Sequence, residues 1–118
     1  MLINLSNHPL STWPTTQLAA ARAYGELTDL PFPNVSPDGD EAYIRTLVDT
    51  YIYKVKELAA DGDATIHVMG EMTFTYAMVN ALKAQGFRCI ASTTERDVVE
   101  ENGVKTSVFR FVRFREYI

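Results

Sequence analysis

The sequence predicts an α/β fold with a mostly parallel sheet of about five strands that ends in an antiparallel hairpin. Three observations support this prediction. Short apolar segments typical of strands alternate along the chain with segments of helical periodicity. The central segment Thr65–Gln85 passes from a strand pattern through Gly70 directly into a helix pattern. Asn102-Gly103, a typical hairpin turn, separates two extended segments. Together they indicate a single Rossmann-like domain of three layers, with helices on both faces of the sheet.

The first half of the chain predicts two strands and two helices. Residues 1–6 form a short first strand, and a first helix follows Pro14, a residue favoured in a first helical turn. Residues 27–30 form a second strand. Asp38 or Asp40 caps the second helix, whose apolar residues follow a three-and-four spacing. Its apolar stripe comprises Ile44, Leu47, Val48, Tyr51, Ile52, Val55 and Leu58.

The second half predicts a central strand, a third helix and the closing hairpin. The apolar residues expected to face the core in the central strand and third helix are Ile66, Val68, Met69, Met72, Tyr76, Val79 and Leu82. A fourth strand continues in extended form to Glu101, and the return strand covers residues 104–117. We expect its apolar centre, residues 108–112, to lie in the core, and residues 113–116 to leave it.

Composition bounds the class of protein. The chain, residues 1–118, has the size of one domain, and 47% hydrophobic with 22% charged residues is typical of a globular protein. No apolar run approaches the roughly 20 residues of a membrane span. The N-terminus lacks a signal-peptide pattern, so we expect a cytoplasmic protein. The net charge of −4 argues against binding to long nucleic acid. Cys89, the single cysteine, lies in an apolar strand pattern and is expected to be buried.

Polar side chains are expected to converge where the parallel strands end. A strand order 2-1-3-4-5 makes the first and third strands neighbours whose helices leave on opposite faces, and ligands bind at this switch point. The first free amides of a helix at such a place attract anions. Two loops and one strand supply the candidates: Ser6, Asn7 and His8 after the first strand, Gly70, Glu71, Thr73 and Thr75 after the third, and Thr93, Thr94 and Arg96 at the end of the fourth strand.

Several candidates also have a structural interpretation, and the residues alone leave both open. Thr73 is equally suited to cap the third helix. Glu71 would gain from the helix dipole, but its charge would repel a phosphate at the same place. His8 is either a loop histidine or a donor to a leaving oxygen, while the mid-strand position of His67 favours a structural role. With two histidines, one cysteine and no ligand spacing, we expect no metal and no cofactor.

Five segments carry a resemblance to a known family. They are Asn4–Pro9, Leu30–Pro33, Met69–Phe74, Ser92–Arg96 and Phe111–Tyr117. Taken together, they resemble the small stand-alone CRISPR-associated Rossmann-fold (CARF-like) proteins of the ring-nuclease type. The resemblance implies a homodimer that acts in antiviral defence. It also implies that the dimer binds a cyclic oligoadenylate, in particular cyclic tetra-adenylate, at the carboxyl edge of the sheet.

The resemblance further implies metal-independent cleavage of the ring. A ribose 2′-hydroxyl attacks the neighbouring phosphate and leaves a 2′,3′-cyclic phosphate, while the protein orients the groups and stabilises charge. By position, the implied catalytic residues are Glu71, His8 and Thr73. The implied ligand-binding residues are Ser6, Asn7, Gly70, Thr75, Thr93, Thr94 and Arg96. Neither switch-point loop holds a lysine, which favours a protein that only binds the ring or cuts it slowly.

Two other classes of function therefore stay open. The first is a non-catalytic sensor or sponge for the cyclic nucleotide. The second is a small α/β enzyme or an oligomerising scaffold unrelated to CRISPR systems. Turnover of a cyclic oligoadenylate separates a nuclease from a sensor, and failure to bind it favours the last class.

Overall fold

The structure, a computed structural model, describes residues 1–60 and 62–118. The chain runs through β1 (Leu2–Ser6), a short 3-10 turn (Leu10–Thr12), α1 (Thr15–Arg22), β2 (Leu27–Asp29), α2 (Glu41–Ala59), β3 (Thr65–Met69), α3 (Met72–Ala84), β4 (Arg88–Glu101) and β5 (Val104–Glu116). The strands form one sheet in the order β2-β1-β3-β4-β5. Strands β1 to β4 run parallel to one another, and β5 runs antiparallel to β4. The predicted Rossmann-like α/β fold and its strand order are confirmed.

The two faces of the sheet differ in their covering. Alternate side chains of β1 and β3, among them Leu5 and Val68, pack with α2 and α3 in the larger apolar cluster. The other face carries α1 and a smaller cluster around Trp13 and Phe114. This second face also carries buried polar side chains, and the first of them along the chain is Asn4 on β1. A cleft at the carboxyl ends of β1 and β3 opens on the same face.

Helix α2 follows the prediction closely. Asp40 caps its first turn, because the Oδ1 atom accepts a hydrogen bond of 2.9 Å from the backbone amide of Tyr43. All seven predicted stripe residues pack in the larger cluster, with Val48 and Val55 fully buried. In the described part of the chain, no helix is long and apolar enough to cross a membrane.

The apolar stripe of α3 differs from the prediction. Met72 and Tyr76 are 83% and 75% exposed, and Met69 at the end of β3 is also exposed. The buried side chains of the helix are Phe74, Met78, Val79 and Leu82. Since α3 has apolar residues on two sides, periodicity alone does not determine which side faces the sheet. The choice depends on tertiary partners, the rings of Phe32 and Tyr51, which contact the Phe74 ring edge-on at 5.2 and 5.6 Å.

Strands β4 and β5 extend beyond the sheet as a hairpin arm, defined here as residues 94–111. Strand β3 pairs with β4 only as far as Ile90, so the two strands of the arm pair only with each other. Asn102 and Gly103 both have positive φ angles, 53° and 77°, as a type I′ turn requires. The predicted hairpin and its turn are confirmed.

The expectation that residues 108–112 lie in the core is wrong. Val108, Phe109 and Val112 are 46%, 66% and 51% exposed. Because β5 runs antiparallel to β4, its C-terminal end rather than its centre returns to the body of the sheet. That end contributes the buried Phe114.

Burial should make Cys89 slow to react with thiol reagents. The side chain is 1% exposed, as predicted, and burial raises the pKa of its thiol from 9.0 to about 11. Because the thiolate is the nucleophile, this shift lowers the reactive fraction at pH 8 roughly 100-fold. We expect labelling of the native protein to follow its unfolding rate and to become fast in denaturant. Labelling of folded protein at the rate of a free thiol would show that β4 does not bury this residue.

Candidate functional site

A cleft of about 680 Å³ lies at the switch point, where β1 and β3 end and the hairpin arm begins. It opens on the face that carries α1. No charged side chain lines it within the described residues, so the cleft presents neutral polar groups and aromatic rings. Its lining residues are Ser6, Asn7, His8, Thr12, Trp13, Pro14, Gln17, His67, Met69, Gly70, Ser92, Thr94, Phe109 and Phe111.

The buried side chain of Asn4 anchors the loop that borders the cleft. Its Nδ2 atom donates to the backbone oxygen of His8 at 2.8 Å and to Oδ1 of Asp29 at 2.9 Å. Its Oδ1 atom accepts from the Ser6 hydroxyl at 2.8 Å. Asn4 thus links β1 to β2 and to the loop after β1, which fixes the position of that loop.

His67 continues this network on β3. Its Nδ1 atom lies 3.0 Å from Oδ1 of Asn4 and its Nε2 atom 3.3 Å from the Ser92 hydroxyl. Since the asparagine oxygen can only accept, Nδ1 carries the proton and Nε2 is the acceptor. The imidazole contacts the rings of Trp13 and Phe114 edge-on, with centroids 5.0 and 5.7 Å away. These contacts agree with the structural role that its mid-strand position favours.

Burial keeps His67 neutral. Burial, together with a smaller contribution from the neighbouring His8, lowers the pKa of the imidazole from 6.5 to about 4. At neutral pH the ring therefore presents a fixed tautomer, with one donor to Asn4 and one acceptor toward the cleft. A neutral histidine of this kind orients its neighbours but is a poor proton donor.

The low pKa of His67 makes stability depend on pH. The unfolded chain takes up a proton near pH 6.5, whereas the folded chain does so only near pH 4. Stability is therefore full above pH 6.5 and falls as the pH drops toward 4, by about 2 kcal/mol between pH 7 and pH 5.

Urea unfolding at these pH values checks the assignment. His67→Gln should remove most of the slope between pH 7 and pH 5, while His8→Gln, at an exposed position, should keep most of it. An equal slope in wild type and His67→Gln would mean that this histidine is not the group responsible.

The loop after β1 presents its side chains at the mouth of the cleft. Ser6 is buried, whereas Asn7 and His8 are exposed. The backbone of His8 is anchored: its oxygen accepts from Nε1 of Trp13 at 2.9 Å, and its amide donates to the Ser6 hydroxyl at 3.3 Å. The imidazole of His8 is thus an exposed group on a fixed backbone.

Glu71 and Thr73 lie apart from this cleft. They line a separate depression of about 470 Å³ beside the start of α2. The Glu71 carboxylate caps α3, because it accepts from the amides of Thr73 at 2.7 Å and Phe74 at 2.9 Å. These bonds, with the Thr73 hydroxyl, lower the pKa of Glu71. The helix amides that an anion would need are therefore occupied, and the carboxylate is a weak base.

The remaining candidates are divided between the cleft and other surfaces. Gly70 lines the cleft, and any side chain there would collide with the ring of Phe32. Thr94 also lines it. Thr93 instead exchanges two hydrogen bonds with the backbone of Arg113 inside the hairpin, at 3.1 and 3.2 Å.

Two further candidates also lie outside the cleft. Thr75 lines a different depression, which it shares with the exposed side chains of Met72 and Tyr76. On the hairpin arm, Nε of Arg96 donates to the Ser107 hydroxyl at 3.2 Å. Neither side chain reaches the cleft that the β1 loop borders.

Sequence reasoning missed the aromatic and amide groups of the cleft. Trp13 precedes α1, Gln17 lies in the first turn of α1, and Phe109 and Phe111 come from the arm. Trp13, the single tryptophan, lies five positions after His8 next to a proline, which could have marked it. The phenylalanines gave no signal, because their alternation is that of any strand.

Among the described residues, no group of three or more His, Cys, Asp and Glu side chains could hold a metal ion. The expectation that the protein needs no metal stays a prediction.

Comparisons with known proteins identify the family of the chain but not its activity. No curated protein and no solved structure matches it. A family model described as the uncharacterized protein MJ1673 family matches residues 1–115. The chain belongs to the MJ1673 family.

Proposed function

We propose that this protein binds a cyclic oligoadenylate, in particular cyclic tetra-adenylate, in the switch-point cleft and cleaves the ring without a metal. It would act as a cytoplasmic homodimer in CRISPR-linked antiviral defence. The choice of ligand rests on the segments that resemble CARF-like ring nucleases. The observation that carries the site is the cleft itself, which combines neutral hydrogen-bonding groups with aromatic rings at the switch point.

The lining suits nucleosides better than bare phosphates. Phe111 offers a ring on which a base can stack, a contact that is worth about 1–3 kcal/mol per base. The amide of Gln17 can donate to N7 and accept from N6 of an adenine. The hydroxyl and amide groups of Ser6 and Asn7 fit ribose oxygens.

Cleavage would use the ring's own 2′-hydroxyl as the nucleophile. Its oxygen forms a bond to the adjacent phosphorus while the bond from phosphorus to the 5′ oxygen breaks. The products are a 2′,3′-cyclic phosphate and a 5′-hydroxyl. His8 would accept the 2′-hydroxyl proton as a base, rather than donate to the leaving oxygen as the sequence suggested. The leaving 5′ oxygen would take a proton from water, and the protonated His8 would return its proton to the hydroxide that remains. The anchored backbone of His8 supports this role, since the imidazole starts from a fixed position.

A non-catalytic sensor or sponge is the second candidate, and one observation favours it. The Glu71 carboxylate, a candidate base, is bound to α3 amides, and no lysine or arginine lines the cleft within the described residues. A site without a cation stabilises the charge of a phosphoryl transition state poorly. This arrangement supports slow cleavage or binding alone.

Incubation with cyclic tetra-adenylate and cyclic hexa-adenylate, with and without a chelator, tests the proposal. We expect binding of the tetra-adenylate and release of linear products that end in a 2′,3′-cyclic phosphate, at the same rate with chelator. Binding without products would favour the sensor. Absence of binding to either ring would overturn the proposal and favour an unrelated enzyme or scaffold.

A further inference from the structure

The hairpin arm has little support from its own chain. Its strands pair only with each other, and a two-stranded ribbon is marginally stable in water. Large apolar side chains nevertheless stand exposed along β4 and β5, each by 46% or more. They are Val98, Val99, Val104, Val108, Phe109 and Val112. Exposed apolar residues in such number mark a segment that another molecule covers. Val98 and Phe109 lie on one face of the arm and Val99, Val104 and Val108 on the other, so these residues alone do not select the covered face.

The two faces of the arm carry different side chains, because neighbours along a strand point to opposite sides. The cleft face consists of Thr94, Arg96, Val98 and Glu100 on β4 with their β5 partners Phe111, Phe109, Ser107 and Lys105. Three of these, Thr94, Phe109 and Phe111, line the cleft. The opposite face consists of Glu95, Asp97, Val99 and Glu101 with Arg110, Val108, Thr106 and Val104.

Charge distinguishes which face can pack on a copy of itself. If two arms stack antiparallel about Val98, Arg96 of each copy lies opposite Glu100 of the other. Both contacts are attractive. The same operation on the opposite face, about Val99, places Asp97 opposite Glu101. Arg110 pairs with Asp97, but the charged side chains of that face, Glu95, Asp97, Glu101 and Arg110, keep a net charge of −2, so two copies of the face repel. The cleft face is therefore self-complementary, as a two-fold interface requires.

We propose that the cleft face of the arm binds the same face of a second copy, antiparallel and across a two-fold axis at Val98. In this arrangement Lys105 of the second copy lies opposite Phe109, and its Gly103 turn lies opposite Phe111, at the rim of the cleft. Each copy thus supplies its partner's cleft with the cation that the cleft lacks. The interface itself does not depend on the ligand, but the role of Lys105 rests on the proposed function.

Sedimentation of three proteins without nucleotide tests the interface. Wild type should be a dimer. Val98→Glu places two like charges at the axis and should raise the dimer dissociation constant about 100-fold or more. Val99→Glu is the matched control, since it changes the neighbouring valine on the other face, and should remain a dimer. Equal melting of the three proteins shows that the body is intact. A monomeric wild type, or two variants that dimerise alike, would overturn the interface.

A charge exchange provides a second test. Arg96→Glu and Glu100→Arg should each weaken the dimer, and the double variant should recover most of the affinity. Failure of the double variant to recover would contradict the antiparallel register.

The role of Lys105 has its own measurement. Lys105→Ala should leave the dimer intact and weaken binding of cyclic tetra-adenylate about 10-fold, with a shallower salt dependence. Unchanged affinity in a dimer that binds the ring would refute the role of Lys105. A dimer that never binds the ring would refute the proposed function instead, and the interface would stand.

Discussion

His8→Ala should lower the single-turnover rate of cyclic tetra-adenylate cleavage by about 100-fold or more, the usual loss when an acid–base group is removed. The dissociation constant of the ring should change little, because the backbone of His8 rather than its imidazole anchors the loop. The exposed side chain makes no contact that the fold needs, so the melting temperature should stay unchanged.

Glu71→Ala is the comparison for this variant. Since Glu71 caps α3 outside the cleft, its loss should lower stability by roughly 1 kcal/mol and leave turnover near the wild-type value. Turnover lost in Glu71→Ala and kept in His8→Ala would reverse the two roles. The catalytic site would then lie in the depression beside the start of α2.

Asn4→Asp should destabilise the protein by about 3 kcal/mol or more at neutral pH. The substitution is nearly isosteric, but it replaces the Nδ2 donor by an oxygen that faces the carboxylate of Asp29 and the backbone oxygen of His8. The Oδ1 atom keeps the donors of Ser6 and His67, but a buried charge whose second oxygen has no donor and faces another carboxylate is still costly. Urea unfolding measures the loss directly.

The double variant Asn4→Asp with Asp29→Asn provides the control for this prediction. The new amide at position 29 can donate to the new carboxylate, so part of the stability should return. Loss of stability equal to the sum of the two single variants would show that the two side chains do not interact.

The path of the chain could be predicted because local signals were strong. The seven-residue stripe and the aspartate cap specified α2, and Asn102-Gly103 specified the hairpin turn. The alternation of strands and helices, with right-handed crossovers, predicted a parallel sheet, and the strand order assumed for it is the one that the structure has.

The predictions that failed depended on contacts between distant segments. The buried side of α3 depends on rings at Phe32 and Tyr51, which lie far away in sequence. The path of the arm depends on where β3 stops pairing with β4, and no property of β5 alone encodes that end.

Only part of the candidate site was predicted, because the rest of it also depends on contacts between distant segments. The loop after β1 and Gly70 reach the cleft because strand ends meet at one edge of the sheet. Glu71 does not, because the amides that made it a candidate are the ones that bind its carboxylate. The aromatic wall comes from Trp13, just before α1, and from the arm, whose approach depends on tertiary packing.

Fluorescence of Trp13 during titration with cyclic tetra-adenylate tests the central claim most directly. Trp13 is the single tryptophan of the chain and lines the cleft, so it reports on this site alone. Ligand bound in the cleft should change its emission in a saturable way, with the same dissociation constant as calorimetry gives. Calorimetric binding without any change in Trp13 emission would place the ligand elsewhere and contradict the account.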